Sequence, residues 1–379
     1  MAKTKILYLI TRFIRGGADD HVLLTVKNLD KRKYDIHLGF GEEHDLNMVN
    51  EAYCHAKVFS FPMKHFSLVS AVKSIFHLYK YMKKHRIHIV HTNSTEAGIA
   101  GRIAAWLAGV PIILHTVHGI AFVPSRSWAL NQFILFCERF TALFTTRITP
   151  VGNDIKRKYL RKGIGRKEQY KTIYGGIDFS RFTASQKLKS KPVISHISRL
   201  AKGKGHDVFL KAAKKVLRKK SAEFWIVGDG EYKSKIQRMV RDLDLQDNVK
   251  MLGYRRDIPN ILGKTSILVL PSLAEGIPRV IMEALRMKVP VIATPVGGVP
   301  EILDYGKAGV LIPTNDPDVL ADGIIHLLNN PQTVKALQDS GYRVSERFSV
   351  REMITQLDLL YEFELKRKNI KARIQNLRP

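Results

Sequence analysis

The chain has 379 residues, too many for one typical core and enough for two domains of ordinary size. Lys and Arg number 62 against 34 Asp and Glu, a formal charge of +28 that draws the chain towards polyanions: nucleic acid, anionic lipid headgroups or phosphorylated substrates. Two cysteines, Cys54 and Cys137, leave no disulfide framework and no zinc-type spacing, and no segment reaches ~18 uninterrupted apolar residues, so no spanning helix is expected. The start at Met1 runs directly into a strand pattern without the apolar core of a signal peptide, which makes a cytoplasmic protein, free or peripheral on the inner face of the plasma membrane, the expectation.

Ile6–Ile10 reads as a short apolar strand, followed by a loop with Gly16 and Gly17 and a helix carrying Val22, Leu23, Val26 and Leu29. Strands near 36–40, 88–91, 111–117 and 147–151 alternate with helices near 68–85, 97–108, 128–144 and 154–162, and this half closes at Lys171–Tyr174. Such alternation implies a parallel, doubly wound sheet. Periodicity lapses from Gly175 to Pro192, where the linker between domains is placed. Val193–Ser198 then restarts the opening theme, with Gly203 and Gly205 before a helix carrying Val208, Phe209 and Leu210, and further strands follow at 223–227, 249–252, 267–270, 290–293 and 309–312. The division expected is therefore 1–176, a linker at 177–192, 193–350, and a final amphipathic helix with a basic tail at 351–379, which is long enough to pack back on the first domain.

In open parallel sheets ligands bind at the carboxyl ends of strands, where loops lead into helix N-termini. The chemically distinctive residues fall in those loops. Arg199 and Lys204 bring two permanent cations to where a diphosphate would meet the next helix. Glu275 follows the strand 267–270, and Pro278 suits the first position of a helix on which Val280, Ile281, Ala284 and Leu285 form the apolar arc and Glu283 lies beyond its edge. Backbone N–H groups of Gly276 and Ile277 are placed to receive phosphate, and the two carboxylates are acceptors suited to sugar hydroxyls. That set describes a nucleotide-sugar pocket, against the ordinary alternative of a capping Glu275 and a solvated Glu283. His118, ending a strand beside Gly119, suits hydrogen bonding to a sugar hydroxyl or a proton transfer, whereas His115 inside the strand reads as a satisfied core residue and His91 stays ambiguous. Asp242 and Asp244 have a metal-type spacing, but end a charged helical segment and read as solvated surface.

From Ser198 to Leu303 the order Ser-Arg-Leu…Lys-Gly, Val-Gly-Asp-Gly-Glu, Glu-Gly-Ile-Pro…Glu-Ala and Pro-Val-Ile-Ala-Thr…Gly-Gly-Val-Pro-Glu resembles the retaining glycosyltransferases of the "glycosyl transferases group 1" family. Gly16-Gly17-Ala18, the stretch from His91 to Gly119, and Tyr174–Asp178 extend the resemblance through the first half. It implies the GT-B fold, two Rossmann-like domains facing each other across a cleft, and transfer of a sugar from a nucleotide-sugar, with UDP preferred, to a glycan or lipid-linked acceptor in cell-surface polysaccharide or lipopolysaccharide synthesis. It further implies Arg199 and Lys204 on the diphosphate, Glu283 on the ribose, Glu275 and the following backbone on the sugar, and His118 near the reacting carbon. Gly16 and Gly17 would close on the phosphates, and Gly253 and Tyr254 would lie beside the base. No divalent metal and no nucleic-acid partner are expected. Gly175 stands where relatives often have Asn, and Arg286 or Met287 where they have Ala. Basic residues near 61–86, at 156–162 and in the tail at Lys371, Arg373 and Arg378, with Phe66, Val69 and Phe76, suggest an anionic membrane surface as a further partner. The rivals are an acceptor-independent epimerase of the same fold and a non-catalytic basic binding protein.

Overall fold

A computed structural model of the chain describes residues 3–64, 67–122, 126–182 and 191–369. The described residues divide into two compact units: those up to Gly176 together with those from Val350, and Ile177–Ser349. Phe66, linker positions 183–190, and Lys371, Arg373 and Arg378 of the tail lie outside the described residues.

The first unit runs β1 (Thr4–Ile10), α1 (Gly17–Asn28), β2 (Tyr34–Phe40), α2 (Leu46–Tyr53), β3 (Lys57–Ser60), α3 (Leu68–His85), β4 (Ile89–Asn93), α4 (Thr95–Leu107), β5 (Ile112–Val117), α5 (Trp128–Ala142), β6 (Arg147–Pro150) and α6 (Asn153–Arg161). All pairs in its sheet are parallel, in the order β3-β2-β1-β4-β5-β6, the arrangement of a Rossmann sheet. β1 is buried on both faces, as a central parallel strand must be. Its alternate residues serve different cores: Ile6, Tyr8 and Ile10 join α1, while Leu7 and Leu9 join α3 and α4. Sequence periodicity missed α2, which Asp45 caps by accepting from the N–H groups of Asn47 and Met48, and the edge strand β3. Lys171–Tyr174 is no strand of its own, but its backbone bonds to Ile148 and Pro150 of β6.

The second unit runs β7 (Val193–Ile197), α7 (His206–Leu217), β8 (Glu223–Val227), α8 (Lys233–Asp242), β9 (Val249–Gly253), α9 (Ile258–Leu262), β10 (Ile267–Leu270), α10 (Arg279–Arg286), β11 (Val291–Ala293), α11 (Val299–Ile302), β12 (Val310–Leu311), α12 (Pro317–Asn329) and α13 (Pro331–Ser345). Its order, β12-β11-β10-β7-β8-β9, repeats that of the first sheet, again all parallel. Ile194, Phe209, Phe224, Val269 and Ile292 form its core. Residues 177–182 pack on this unit: the N–H of Ile177 donates to Phe348 at 2.8 Å, and the Arg286 guanidinium lies 5.1 Å from the Phe179 ring and 4.8 Å from that of Tyr342. That stacking accounts for an arginine at this point of α10.

The final helix, α14 (Val350–Arg367), belongs to the first unit, where it contacts α1. Its Tyr361 hydroxyl lies 2.5 Å from that of Tyr8 and 2.6 Å from Nδ1 of His91, and the fully buried Glu364 accepts from Arg147 and Arg367 at 2.6 and 2.8 Å. Among the described residues no helix is long and apolar enough to cross a membrane.

Candidate functional site

Each sheet has one switch point where the strand order reverses, and ligands of open α/β sheets bind beyond the carboxyl ends of those strands. In the second unit it lies between β7 and β10. The loop after β7 carries Arg199 and Lys204 into α7, and the loop after β10 carries Glu275 into α10. They meet: Nζ of Lys204 donates to Oε1 of Glu275 at 2.8 Å, with 26% and 10% of the two side chains exposed. Arg199 instead pairs at 3.1 Å with Glu231, and both are exposed. Glu231 is a partner that sequence reasoning left without a role, although it closes the Val-Gly-Asp-Gly-Glu motif.

Two glycines let these loops come together. Gly205 caps α7 at φ 73, and a Cβ there would stand 2.1 Å from the Pro271 carbonyl oxygen. Gly297 has φ 58, and its Cβ would stand 2.0 Å from the carbonyl oxygen of Glu275, while the N–H of Gly298 donates to Gly276 at 2.8 Å. The Gly-Gly-Val-Pro turn therefore buttresses the Glu275 loop. Adjacent glycines in the motif were its signal.

α10 begins one residue later than the sequence suggests. Pro278 occupies the cap, not the first turn, so the leading helical N–H groups are those of Arg279 and Val280, with Gly276 exposed and Ile277 half-buried ahead of them. Met282 joins Ile281, Ala284 and Leu285 on the buried side, where Val280 was expected and is instead half-buried. Glu283 is half-buried on the same helix. Gly253 ends β9 at φ 67 and Tyr254 is exposed; they sit at the far edge of the sheet, two strands from the switch point. Asp242 ends α8 and Asp244 pairs at 3.7 Å with Lys214, both exposed. Among the described residues no group of three or more His, Cys, Asp or Glu side chains is placed to hold a metal ion.

In the first unit the switch point lies between β1 and β4. Thr11 after β1 and Ser94 after β4 join their hydroxyls at 2.7 Å, and the loop continues to Gly16, the cap of α1, and Gly17, its first residue. Asn93, ending β4, holds His118: its Oδ1 accepts from Nε2 at 2.9 Å, which leaves Nδ1 with its lone pair. Burial first, then the neighbouring His21 and His91, hold the His118 pKa well below the ordinary value, so the ring is neutral. The His21 ring stands edge-on to it at 4.8 Å. His115 is buried and bonded to Thr92 at 2.9 Å, and His91 is buried between Tyr361 and Thr116, so both are core residues.

A family model described as "Glycosyl transferases group 1" matches residues 179–344, and one described as "Glycosyltransferase Family 4" matches residues 15–181. The chain belongs to the group 1 glycosyltransferases. This glycosyltransferase is 29% identical over 375 residues to the UDP-Gal:alpha-D-GlcNAc-diphosphoundecaprenol alpha-1,3-galactosyltransferase of Escherichia coli, covering 95% of this chain and 97% of that one. It is 25% identical to a capsular polysaccharide biosynthesis glycosyltransferase of Staphylococcus aureus, covering 90% and 93%. Its fold matches that of HepE from Anabaena in complex with UDP, with a TM-score of 0.83 at 22% identity over 95% of this chain and all of that one. The two Rossmann-like units are thus those of a GT-B glycosyltransferase.

Proposed function

We propose that this glycosyltransferase takes its sugar from a UDP-sugar and moves it, with retention at the anomeric carbon, to a lipid-linked or glycan acceptor in cell-surface polysaccharide assembly. The observation that carries this reading is the Lys204–Glu275 pair at the switch point of the second sheet. Without donor, the cation and the carboxylate satisfy each other. A donor replaces that single contact with two: its diphosphate takes the ammonium and its sugar hydroxyls take the carboxylate. As the bond between the anomeric carbon and the diphosphate breaks, negative charge grows on the leaving group, and the Lys204 and Arg199 cations stabilise it most at that moment. Two permanent cations there make a divalent metal unnecessary. Glu283 takes the ribose hydroxyls, the Gly276–Pro278 backbone the sugar, and Gly253 with Tyr254 the base. In the first unit, neutral His118 offers Nδ1 as an acceptor to a sugar hydroxyl, and the backbone of Gly16 and Gly17 meets a phosphate. UDP as the nucleotide is supported by the UDP in the HepE structure and by the name of the Escherichia coli relative, which also motivates the lipid-linked acceptor.

The test is turnover of a panel of UDP-sugars with and without a polyprenyl-diphosphate-linked sugar, in the presence of EDTA, with the new anomeric proton read by NMR. Acceptor-dependent UDP release and a product with the donor's configuration support the reading. A changed UDP-sugar formed without acceptor establishes an epimerase instead, and an inverted product refutes retention.

A further inference from the structure

A surface helix ordinarily sets one apolar face against the core and a polar one against water. α5 has two apolar faces. Ile134, Leu135 and Ala142 are buried, and on the same side Glu138 is buried in a 2.8 Å ion pair with Arg102. On the outer side Trp128 is 78% exposed, Phe136 65%, Phe133 49% and Phe140 41%, and Leu143 at the helix end is 79% exposed. At 3.6 residues per turn these five fall on one arc of roughly 140°. Arg139 is the one charged residue on that arc. The patch continues onto α4, where the half-exposed Trp106 stacks on Phe144 at 5.2 Å; Phe144 in turn meets Phe140 at 5.5 Å, and Phe140 meets Phe136 at 6.4 Å. A connected aromatic surface of this kind marks a contact site.

The neighbouring charges decide what covers it. Phe136, Phe140 and Leu143 wall a surface cavity of ≈ 530 Å³ that Arg139 and Arg166 also line. α3, packed on α4, repeats the composition: Val69, Val72 and Phe76 are exposed, Lys80 lies 4.2 Å over the Phe76 ring, and the helix holds no acidic residue. Among the described residues no ion pair engages the side chains of Lys73, Lys83, Lys84 or Arg166. A second copy of a chain carrying +28 would set these cations against their equivalents. An anionic bilayer offers hydrocarbon to the aromatics and phosphate to the cations, and Trp is the residue favoured at that boundary.

We infer that the outer face of α5, extended by the end of α4 and by α3, docks this protein on an anionic phospholipid bilayer. Trp128, Phe136, Phe140 and Leu143 enter the boundary between headgroups and acyl chains, and Arg139, Arg166 and the α3 lysines meet the lipid phosphates. The inference stands on this surface alone and holds whichever sugar is transferred.

Trp106 and Trp128 lie on this face, and Trp225, the third tryptophan, is buried in the second unit. The test mixes the full chain carrying Trp225→Phe with phosphatidylcholine vesicles containing or lacking phosphatidylglycerol. The expected result is co-sedimentation and a blue-shifted tryptophan emission with the anionic vesicles alone, weakened by salt. Apparent affinity should fall about tenfold or more in Phe136→Ser/Leu143→Ser, and also in Lys83→Glu/Lys84→Glu, with UDP binding unchanged in both. No binding to anionic vesicles, or equal binding by the variants, overturns the inference. So does a dimer in solution that Phe136→Ser dissociates, which would assign the face to a second copy. Release from vesicles by free glycerol phosphate would likewise overturn it, in favour of a headgroup pocket at Arg139 and Arg166.

Discussion

The ammonium of Lys204 lies 2.8 Å from Oε1 of Glu275, joining residues 71 positions apart at the point where the second sheet reverses its strand order. The bond is largely shielded from water, so it is screened little by salt. If Lys204 serves the leaving diphosphate, Lys204→Ala should lower kcat by about 10²–10³ with a smaller change in KM, as loss of a group acting in the transition state does. Steady-state kinetics with saturating acceptor checks this. A rise in KM alone would give Lys204 a ground-state binding role.

The sequence places both residues in loops after strands, but nothing local indicates that they touch. The strands that frame them are legible because parallel strands buried on both faces read as unbroken apolar runs, as Ile267–Leu270 does. α2 and β3 escape because eight residues are too short a window for a helical period to show, and a four-residue edge strand with exposed ends carries little alternation. The start of α10 is displaced by one residue because a proline marks a helix start only to within a residue or two, and here Pro278 stands just outside the first turn. α5 is legible as a helix, yet its inward face is not, since both sides are apolar and only Glu138, drawn inward by Arg102, settles the orientation.

His118 is kept neutral by burial and by the nearby His21 and His91. Its titration should therefore leave no inflection in kcat between about pH 6 and pH 8, the range in which an unperturbed histidine would show one. His118→Gln should retain more activity than His118→Leu, because the amide keeps a hydrogen-bonding atom. A kinetic pKa in that range, lost in both variants, would require a proton-transfer role.

Asp19, in the first turn of α1 beside Gly16, has a carboxyl pushed up from 3.8 to about 6, chiefly by burial and against hydrogen bonds from the backbone of Ile14 and its own N–H. The folded state thus holds a proton that the unfolded state has already released, and this group's contribution to stability falls as pH rises from about 4 to about 6. Asp19→Asn mimics the protonated form. Its Tm should match wild type near pH 4 and exceed it near pH 7, as thermal unfolding at the two values would show.

Tyr361 fastens α14 to the first sheet by bonding both Tyr8 and His91. Tyr361→Phe leaves two buried polar atoms without that hydroxyl and should cost about 2–4 kcal/mol in urea unfolding of the first unit. Burial lowers the His91 pKa to about 3, so the folded state resists a proton that the unfolded chain accepts near 6.5; stability from this group is present above that value and is lost as pH falls towards 3.

The measurement that tests the central claim most directly is donor binding by the purified protein: thermal shifts with UDP, GDP, ADP and their sugars, without metal, on wild type and on Glu283→Ala. The account predicts stabilisation of wild type by UDP and a UDP-sugar, with little from GDP or ADP, and loss of that stabilisation in the variant. Stabilisation by GDP or ADP in place of UDP, or by none of them at millimolar concentration, would contradict it.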